Sequence, residues 1–125
     1  MISKGWFYLT RNKEYIPQKQ DIIWIDFNPS LGKEIQKRRP ALVLSTQKYS
    51  KATGFVAVCP ITRGAENLKA KNLLVKVIST EIDGYVNPFQ LHTFDYKQRR
   101  AHKIERMDSA SFFKVLQLNQ YIFQD

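Results

Sequence analysis

The sequence predicts an α+β domain in which several short strands form an antiparallel sheet or small barrel, followed by one C-terminal helix. Three observations predict it. The apolar segments as far as residue 94 are short, rich in β-branched and aromatic residues, and separated by turn-forming residues. From residue 111 onwards the apolar residues instead recur at helical spacing. Regular alternation of strands and helices is absent, which argues against a doubly wound parallel sheet.

The strands are predicted in order along the chain. Residues 21–27 form the first, because β-branched and aromatic residues fill it and Asn28-Pro29-Ser30 closes it with turn chemistry. Residues 41–45 form the second, which Pro40 opens, and residues 55–59 the third, which Pro60 stops. Residues 72–78 form the fourth, and residues 85–94 hold one or two more. Residues 48–54, 62–67 and 81–84 are predicted to be loop and turns.

The C-terminal helix is predicted to run from Ser111 to the end of the chain, with Asp108 as a candidate N-cap. Five of its apolar residues share one broad face: Phe112, Val115, Leu116, Ile122 and Phe123. A chain of 125 residues holds a single domain. We predict an N-terminal extension over residues 1–14 and the domain over residues 15–125.

The charge balance indicates a polyanionic partner. The chain carries 20 Lys and Arg against 11 Asp and Glu, a net charge of +9. Nucleic acid is the first candidate and a membrane surface the second, while solubility alone is the plain alternative. No apolar run reaches the length of a membrane helix, and the N-terminus lacks the features of a signal peptide, so a cytoplasmic protein is expected.

The few sulfur and imidazole groups argue against a metal site. Cys59 is the single cysteine, so no intramolecular disulfide can form, and its place after a strand of small apolar residues predicts a buried thiol. His92 and His102 are the only histidines, and no Cys-x-x-Cys spacing is present. Hydrolase signatures such as Gly-x-Ser-x-Gly and His-Glu-x-x-His are also absent.

Three local features could carry chemistry. Arg39 ends a basic loop at a strand start, where a guanidinium can be aimed at a phosphate; a solvated charged loop is the alternative. Thr62 offers a hydroxyl at a strand end, although such a hydroxyl more often only caps a turn. Gln90 and His92 are two residues apart, so they share a strand face that could read base edges; an ordinary solvated edge strand is the alternative.

In combination, the features resemble the MazF/PemK family of toxin endoribonucleases from toxin–antitoxin systems. The resemblance covers residues 15–123, and its strength lies in the order and spacing of its motifs. They are Asp21-Ile22-Ile23-Trp24, Phe27-Asn28-Pro29, Gly32-x-Glu34, Arg39-Pro40-Ala41-Leu42-Val43-Leu44-Ser45, Pro60-Ile61-Thr62 and Gln90-x-x-Thr93-x-Asp95-x-x-x-Arg99.

The resemblance implies a CcdB/MazF-type SH3-like small β-barrel with a C-terminal helix, a homodimer, and a protein antitoxin as partner. It implies sequence-specific cleavage of single-stranded RNA without metal or cofactor, by attack of the ribose 2′-hydroxyl to give a 2′,3′-cyclic phosphate and a 5′-hydroxyl. Arg39 matches the arginine proposed as general acid or base, and Thr62 the threonine that holds the scissile phosphate. The expected RNA contacts are Asn28, Lys33, Glu34, Arg38, Asn87, Gln90 and His92.

Four positions depart from the family pattern. Gln20 replaces the usual glycine before the first strand, and Phe89 replaces the acidic residue that many members carry before the glutamine. Asn87 replaces an arginine used by some members, and His92 stands where Arg or Lys is common. These changes leave Arg39 and Thr62 in place, put any acidic catalytic partner in doubt, and suggest an unusual cleavage sequence.

Two other classes of function stay open from the sequence. A basic SH3-like barrel can bind nucleic acid without cutting it, and the gyrase poison CcdB shares this fold family. The Arg39-Pro40 pair together with Thr62 favours RNA cleavage over both.

Overall fold

The computed structural model describes residues 14–28 and 37–124, apart from the side chains of Asn28 and Lys37. In chain order its elements are β1 (Asp21–Asn28), β2 (Lys37–Val43), α1 (Gln47–Thr53), β3 (Phe55–Thr62), α2 (Glu66–Ala70), β4 (Val75–Lys76), β5 (Tyr85–Val86), β6 (His92–Asp95), β7 (His102–Arg106) and α3 (Ser109–Asn119), followed by a 3₁₀ turn (Gln120–Ile122).

The described strands form one antiparallel sheet in the order β4-β5-β3-β2-β1-β7, with β6 also paired to β3. Strand β3 lies at the centre, because its first half pairs with β6 and its end pairs with β5, while β2 takes the other edge. Val58, for example, pairs with both Val43 and His92. The sheet curves into a half-barrel with a C-terminal helix, so the predicted fold class is confirmed.

Alternate residues of the central strands enter two separate apolar clusters, as the two-residue period of a strand requires. Ile22, Leu42 and Cys59 belong to the cluster that Phe112 and Val115 of α3 cover. Their sequence neighbours Ile23, Ala41 and Val58 belong to a second cluster on the opposite face. Both faces of the sheet are therefore buried near its centre, and the functional surface must lie at its ends.

Helix α3 begins where its cap predicts and ends earlier than its apolar pattern suggests. The carboxylate of Asp108 accepts a hydrogen bond of 2.9 Å from the backbone N–H of Ser111, which confirms the N-cap. Phe112 and Val115 are buried, whereas Ile122 is 40% and Phe123 is 71% exposed. The apolar face that contacts the sheet is thus shorter than predicted.

Two predicted loop and turn boundaries are wrong. Residues 48–54 are predicted to be loop, but α1 covers residues 47–53, because the hydroxyl of Thr46 caps its start and Gly54 ends it at a φ of 80°. Strand β3 continues through Pro60, whose carbonyl still accepts a bond from the N–H of Asn87 at 3.0 Å.

Strands β2, β4 and β7 also differ from their predicted extents. Strand β2 begins at Lys37 and so includes Arg38 and Arg39, which were predicted to precede it. Strand β4 is limited to Val75–Lys76, and β7 was not predicted.

Gln20 occupies a backbone conformation that favours glycine. Its φ of 83° lies in the left-handed region, which costs a non-glycine residue about 1–2 kcal/mol. Its side-chain amide donates to the carbonyl of Met107 at 2.6 Å, and Arg106 donates to its side-chain oxygen at 3.1 Å. These bonds tie the start of β1 to the end of β7 and offset the strain where the family pattern has glycine.

Candidate active site

The register of β2 against β3 brings Arg39 and Thr62 together. Ala41 pairs with Pro60 in this antiparallel ladder. The paired residues end there, and Arg39 and Thr62 each lie two residues beyond this pair on adjacent strands, so strand alternation puts both side chains on the same face. Both residues line a cleft of about 660 Å³ at this end of the sheet. The two predicted catalytic residues, 23 positions apart in the sequence, are thus cross-strand neighbours.

The cleft combines cations with two carboxylates. Arg38, Arg39 and Arg63 line it together with Glu81 and Asp83, and Trp24 forms part of its wall. Arg63 Nε lies 3.9 Å from a carboxylate oxygen of Asp83, and both side chains are largely exposed, so this pair holds weakly. Arg39 makes no ion pair with any carboxylate of the described residues. Its guanidinium can therefore donate to a phosphate.

The hydroxyl of Thr62 caps a turn and still has a hydrogen to donate. Its oxygen accepts a bond of 3.0 Å from the backbone N–H of Gly64. This bond uses one lone pair and leaves the O–H proton available for a phosphoryl oxygen in the cleft. The capping role and the phosphate-binding role, weighed as alternatives from the sequence, are compatible in this geometry.

Arg38, one residue before Arg39, is engaged in the fold. Strand alternation sends it to the other face, where its cross-strand partner is Asp26. Its guanidinium lies 2.7 Å from a carboxylate oxygen of Asp26 and donates to the carbonyl of Arg100 at 2.8 Å. It also contacts His102 Nδ1 at 3.1 Å. The structure therefore commits much of Arg38, an expected RNA contact, to holding β1, β2 and the start of β7 together.

Asp26 stands between two arginines. Arg100 contacts the same carboxylate at 2.8 Å and 3.2 Å. Burial of this side chain on its own would raise the pKa of Asp26, but the hydrogen bonds from Arg100 and Arg38, with their positive charges, outweigh it and hold the pKa below its usual value. The carboxylate thus stays ionised and keeps both guanidinium groups in place.

Beside Arg39 lies an aromatic platform made by Phe27, His92 and Phe94. The His92 ring stacks on Phe94 at 5.5 Å and meets Phe27 edge-on at 5.1 Å. The guanidinium of Arg39 lies 5.4 Å from the Phe27 ring centre, and that of Arg99 lies 4.2 Å from the Phe94 ring centre. Flat rings flanked by cations are the surface on which nucleobases stack.

His92 is held in its neutral form by its surroundings. Burial lowers the pKa of the imidazole, and the positive charges of Arg39 and then Arg99 lower it further. A neutral imidazole has one nitrogen that donates and one that accepts a hydrogen bond, which suits recognition of a base edge.

The other predicted RNA contacts occupy different settings. Gln90 is exposed just before β6 and free to reach a ligand. Asn87 is 5% exposed, and its side-chain oxygen accepts from the N–H of Phe89 at 3.0 Å, so it supports the turn that precedes Gln90. Asn28 ends β1, and Lys33 and Glu34 lie outside the described residues.

Sequence reasoning missed several contributors to this site, including Glu81 and Phe94. Phe27, Arg63, Asp83 and Arg99 all lie in the cleft or on the platform. Arg63 directly follows Thr62, and Phe27 and Arg99 fall within the quoted motifs, so position alone could have indicated these three. Asp83 had no such signal, because it was part of a predicted turn.

Neither a membrane helix nor a metal-binding cluster is found in the described part of the chain. No helix within residues 14–28 and 37–124 is long and apolar enough to cross a membrane. The same residues contain no group of three or more His, Cys, Asp or Glu placed to hold a metal ion.

Sequence comparison identifies relatives over most of the chain. A sequence model of the family described as PemK-like, MazF-like toxin of type II toxin–antitoxin systems matches residues 18–123. The chain is 33% identical to the endoribonuclease toxin MazF of Escherichia coli strain K12, over 71% of this chain and 78% of that protein. It is 24% identical to the endoribonuclease PemK of Escherichia coli, over 90% of this chain and 86% of that protein.

Solved structures share the fold. A crystal structure of MazE–MazF (Form-III) from Deinococcus radiodurans superposes with a TM-score of 0.75 at 28% identity, covering 86% of this chain and 96% of that chain. An endoribonuclease in complex with its cognate antitoxin from a mycobacterial species, 16% identical, has the same fold with a TM-score of 0.63 and covers 87% of this chain and 94% of that chain. The fold that the sequence resemblance implied is confirmed.

Proposed function

The chain belongs to the PemK-like, MazF-like toxin family of type II toxin–antitoxin systems, and on that premise we propose that it is a sequence-specific endoribonuclease that cleaves single-stranded RNA without a metal. The observation that carries the proposal is the cross-strand placement of Arg39 and Thr62 in one cleft. A cation and a hydroxyl donor on neighbouring strands can hold one phosphate between them.

The reaction is internal transesterification. The ribose 2′-oxygen attacks the adjacent phosphorus, the bond to the 5′-oxygen breaks, and the products carry a 2′,3′-cyclic phosphate and a 5′-hydroxyl. Negative charge increases on the phosphoryl oxygens in the transition state, where Arg39 and the Thr62 hydroxyl donate to them. Arginine side chains keep their proton to about pH 12, so electrostatic stabilisation is the first role of Arg39 and proton transfer the second.

The aromatic platform is the proposed base-reading surface. Phe94 is partly exposed and offers an apolar face, buried Phe27 supports it from below, and the His92 ring adds a donor and an acceptor beside it. Gln90, exposed before the same strand, supplies an amide that can pair with a base edge. Because Arg39 borders both the platform and the cleft, a base held here sits next to the scissile phosphate.

The test is incubation of the purified protein with a long unstructured RNA in EDTA, with Arg39→Ala as the control. The proposal expects discrete fragments from the wild type and intact RNA with the variant. Intact RNA together with a mobility shift would instead support a non-catalytic binding barrel. Growth arrest that a gyrase mutation relieves would support a protein-directed toxin.

A protein antitoxin is the proposed partner, and a homodimer the proposed assembly. The solved relatives from Deinococcus radiodurans include MazE–MazF structures. A net charge of +9 and the open cleft beside Arg39 favour an antitoxin tail that is acidic, disordered when free, and ordered on binding. If the tail covers Arg39 and His92, RNA and antitoxin exclude each other, which a competition titration with the inactive Arg39→Ala variant measures.

A further inference from the structure

The cleft needs a proton acceptor that Arg39 and Thr62 do not supply. A 2′-hydroxyl must lose its proton as it attacks phosphorus, and a positioned base normally takes it. A protonated guanidinium has no acceptor atom, and a neutral threonine hydroxyl is too weak a base to take the proton. His92 does not line the cleft, because its ring packs against Phe27 and Phe94.

Among the residues that the structure describes, two carboxylates line the cleft, and the chain that carries them is firmly anchored. Ile82, between Glu81 and Asp83, is buried in the helix-covered cluster. The hydroxyl oxygen of Ser79 accepts from the N–H groups of Glu81 and Ile82 at 2.9 Å and 3.1 Å. The N–H of Val77 donates to the carbonyl of residue 84 at 3.0 Å and closes the turn.

Gly84 brings Asp83 close to Thr62. A Cβ atom at residue 84 would lie 2.9 Å from Ile61 Cγ2 and 3.0 Å from the carbonyl oxygen of Thr62, so only glycine fits against β3 here. Asp83 is therefore covalently next to a residue in direct contact with the Thr62 backbone. This contact explains why a turn distant in sequence forms a wall of the catalytic cleft.

Alternation along the same segment places Asp83 on the side of the cleft. Ile82 and Val86 are buried in the core cluster, and a side chain at residue 84 would meet Ile61 of that cluster. Asp83 and Tyr85 are the residues between them, and Tyr85 is the cross-strand partner of Thr62. Asp83 precedes this strand and lines the cleft together with Thr62 and Arg39.

We propose that Asp83 is the general base of the cleavage reaction; the inference rests on the proposed endoribonuclease function. Its carboxylate takes the proton of the 2′-hydroxyl as the 2′-oxygen bonds to phosphorus. The bond from phosphorus to the 5′-oxygen breaks, its electron pair stays on the 5′-oxygen, and that oxygen takes a proton from water. The resulting hydroxide removes the proton from Asp83 and restores the carboxylate.

The negative charge of Asp83 should also affect RNA binding. A carboxylate in a cleft for a polyanion repels the phosphates and weakens binding, so its removal should lower KM. Asp83 shares this effect with Glu81, which lines the same cleft and carries the same charge. The two residues differ in position, because Asp83 is next to Gly84, which packs against Thr62. We therefore expect only Asp83 to affect the chemical step.

The experiment compares kcat and KM for Asp83→Asn, Glu81→Gln and Glu66→Gln on one cleavable oligonucleotide in EDTA. Asp83→Asn should lower kcat by about 10²-fold or more, the usual contribution of a positioned base, without raising KM. Glu81→Gln should lower KM and leave most of kcat. Glu66 is exposed on α2 away from the cleft, so Glu66→Gln should change neither. Asp83→Glu, which keeps a carboxylate, should restore part of kcat.

The pH profile separates a base from a structural residue. A catalytic carboxylate base gives kcat an acid limb, and this limb should be absent from Asp83→Asn. Near-normal kcat in Asp83→Asn, an unchanged acid limb, or an equal loss in Glu81→Gln would overturn the assignment while leaving the endoribonuclease proposal intact. No cleavage by the wild type would overturn the proposed function itself.

Discussion

Arg38 and Arg39 are adjacent in the sequence, and the structure predicts opposite consequences when each is replaced by alanine. Arg39 lines the cleft beside the platform, and its guanidinium carbon lies 5.4 Å from the centre of the Phe27 ring. Arg38 also lines the cleft, but its guanidinium is bonded to buried Asp26. One substitution should therefore remove activity, and the other should remove stability.

The magnitudes follow from the contacts. Arg39→Ala removes a donor aimed at the transition state, which should lower kcat by about 10²- to 10³-fold, and it removes one cation–π contact of about 0.5–1 kcal/mol. Arg38→Ala removes the hydrogen bonds to Asp26 at 2.7 Å and to the carbonyl of Arg100 at 2.8 Å, and the contact with His102 Nδ1 at 3.1 Å. Asp26 keeps Arg100 as a partner, so the free energy of unfolding should fall by about 2 kcal/mol.

The assay measures both quantities on both variants. Thermal unfolding should show a Tm lower by roughly 8 °C for Arg38→Ala and by a few degrees at most for Arg39→Ala. Single-turnover cleavage at saturating RNA should show a loss for Arg38→Ala that is at least about tenfold smaller than for Arg39→Ala. A kcat loss in folded Arg38→Ala equal to that of Arg39→Ala would refute the different roles assigned to the two arginines.

Three further outcomes are expected. Thr62→Ala should lower kcat less than Arg39→Ala, because a neutral donor contributes less than a cation; an equal or larger loss in a kinetic comparison would reverse this order. RNA affinity should fall with salt, with a log–log slope of about −2 if three phosphates are contacted, and a flat slope in a binding titration would contradict backbone binding. Because the pKa of His92 is lowered in the fold, the unfolded chain binds more protons, so the free energy of unfolding should fall as pH drops below about 6.5. Urea unfolding of His92→Gln should lack this part of the pH dependence, and an unchanged dependence would refute it.

The features that sequence alone could predict are those with local causes. The cap at Asp108 and the β-branched run of β1 depend on neighbouring residues, and both are confirmed. The basic character of the segment around Arg39 is also evident from the sequence. Strand β2, however, begins at Lys37, earlier than the position of Pro40 suggests. Because the strand begins at Lys37, the side chains of Arg38 and Arg39 lie on opposite faces of the sheet. A loop would not impose this alternation.

The features that sequence could not predict depend on distant partners. Strand β7 consists mostly of charged and polar residues, with Ile104 its only large apolar side chain, and it is a strand because β1 pairs with it. The bond between Arg38 and Asp26 depends on the register of β1 with β2. Asp83 enters the cleft through the contact of Gly84 with β3, and no local pattern encodes that contact.

The central claim is that the cleft between β2 and β3 cuts RNA at defined sequences by transesterification. The most direct measurement is sequencing of all RNA ends that carry a 5′-hydroxyl after digestion in EDTA by the wild type and by Arg39→Ala. We predict that the downstream fragments carry 5′-hydroxyl ends that share a short sequence and that the upstream fragments end in 2′,3′-cyclic phosphates. Both kinds of end should be absent with Arg39→Ala. Ends without a common sequence, ends that carry 5′-phosphates, or undiminished cleavage by Arg39→Ala would contradict it.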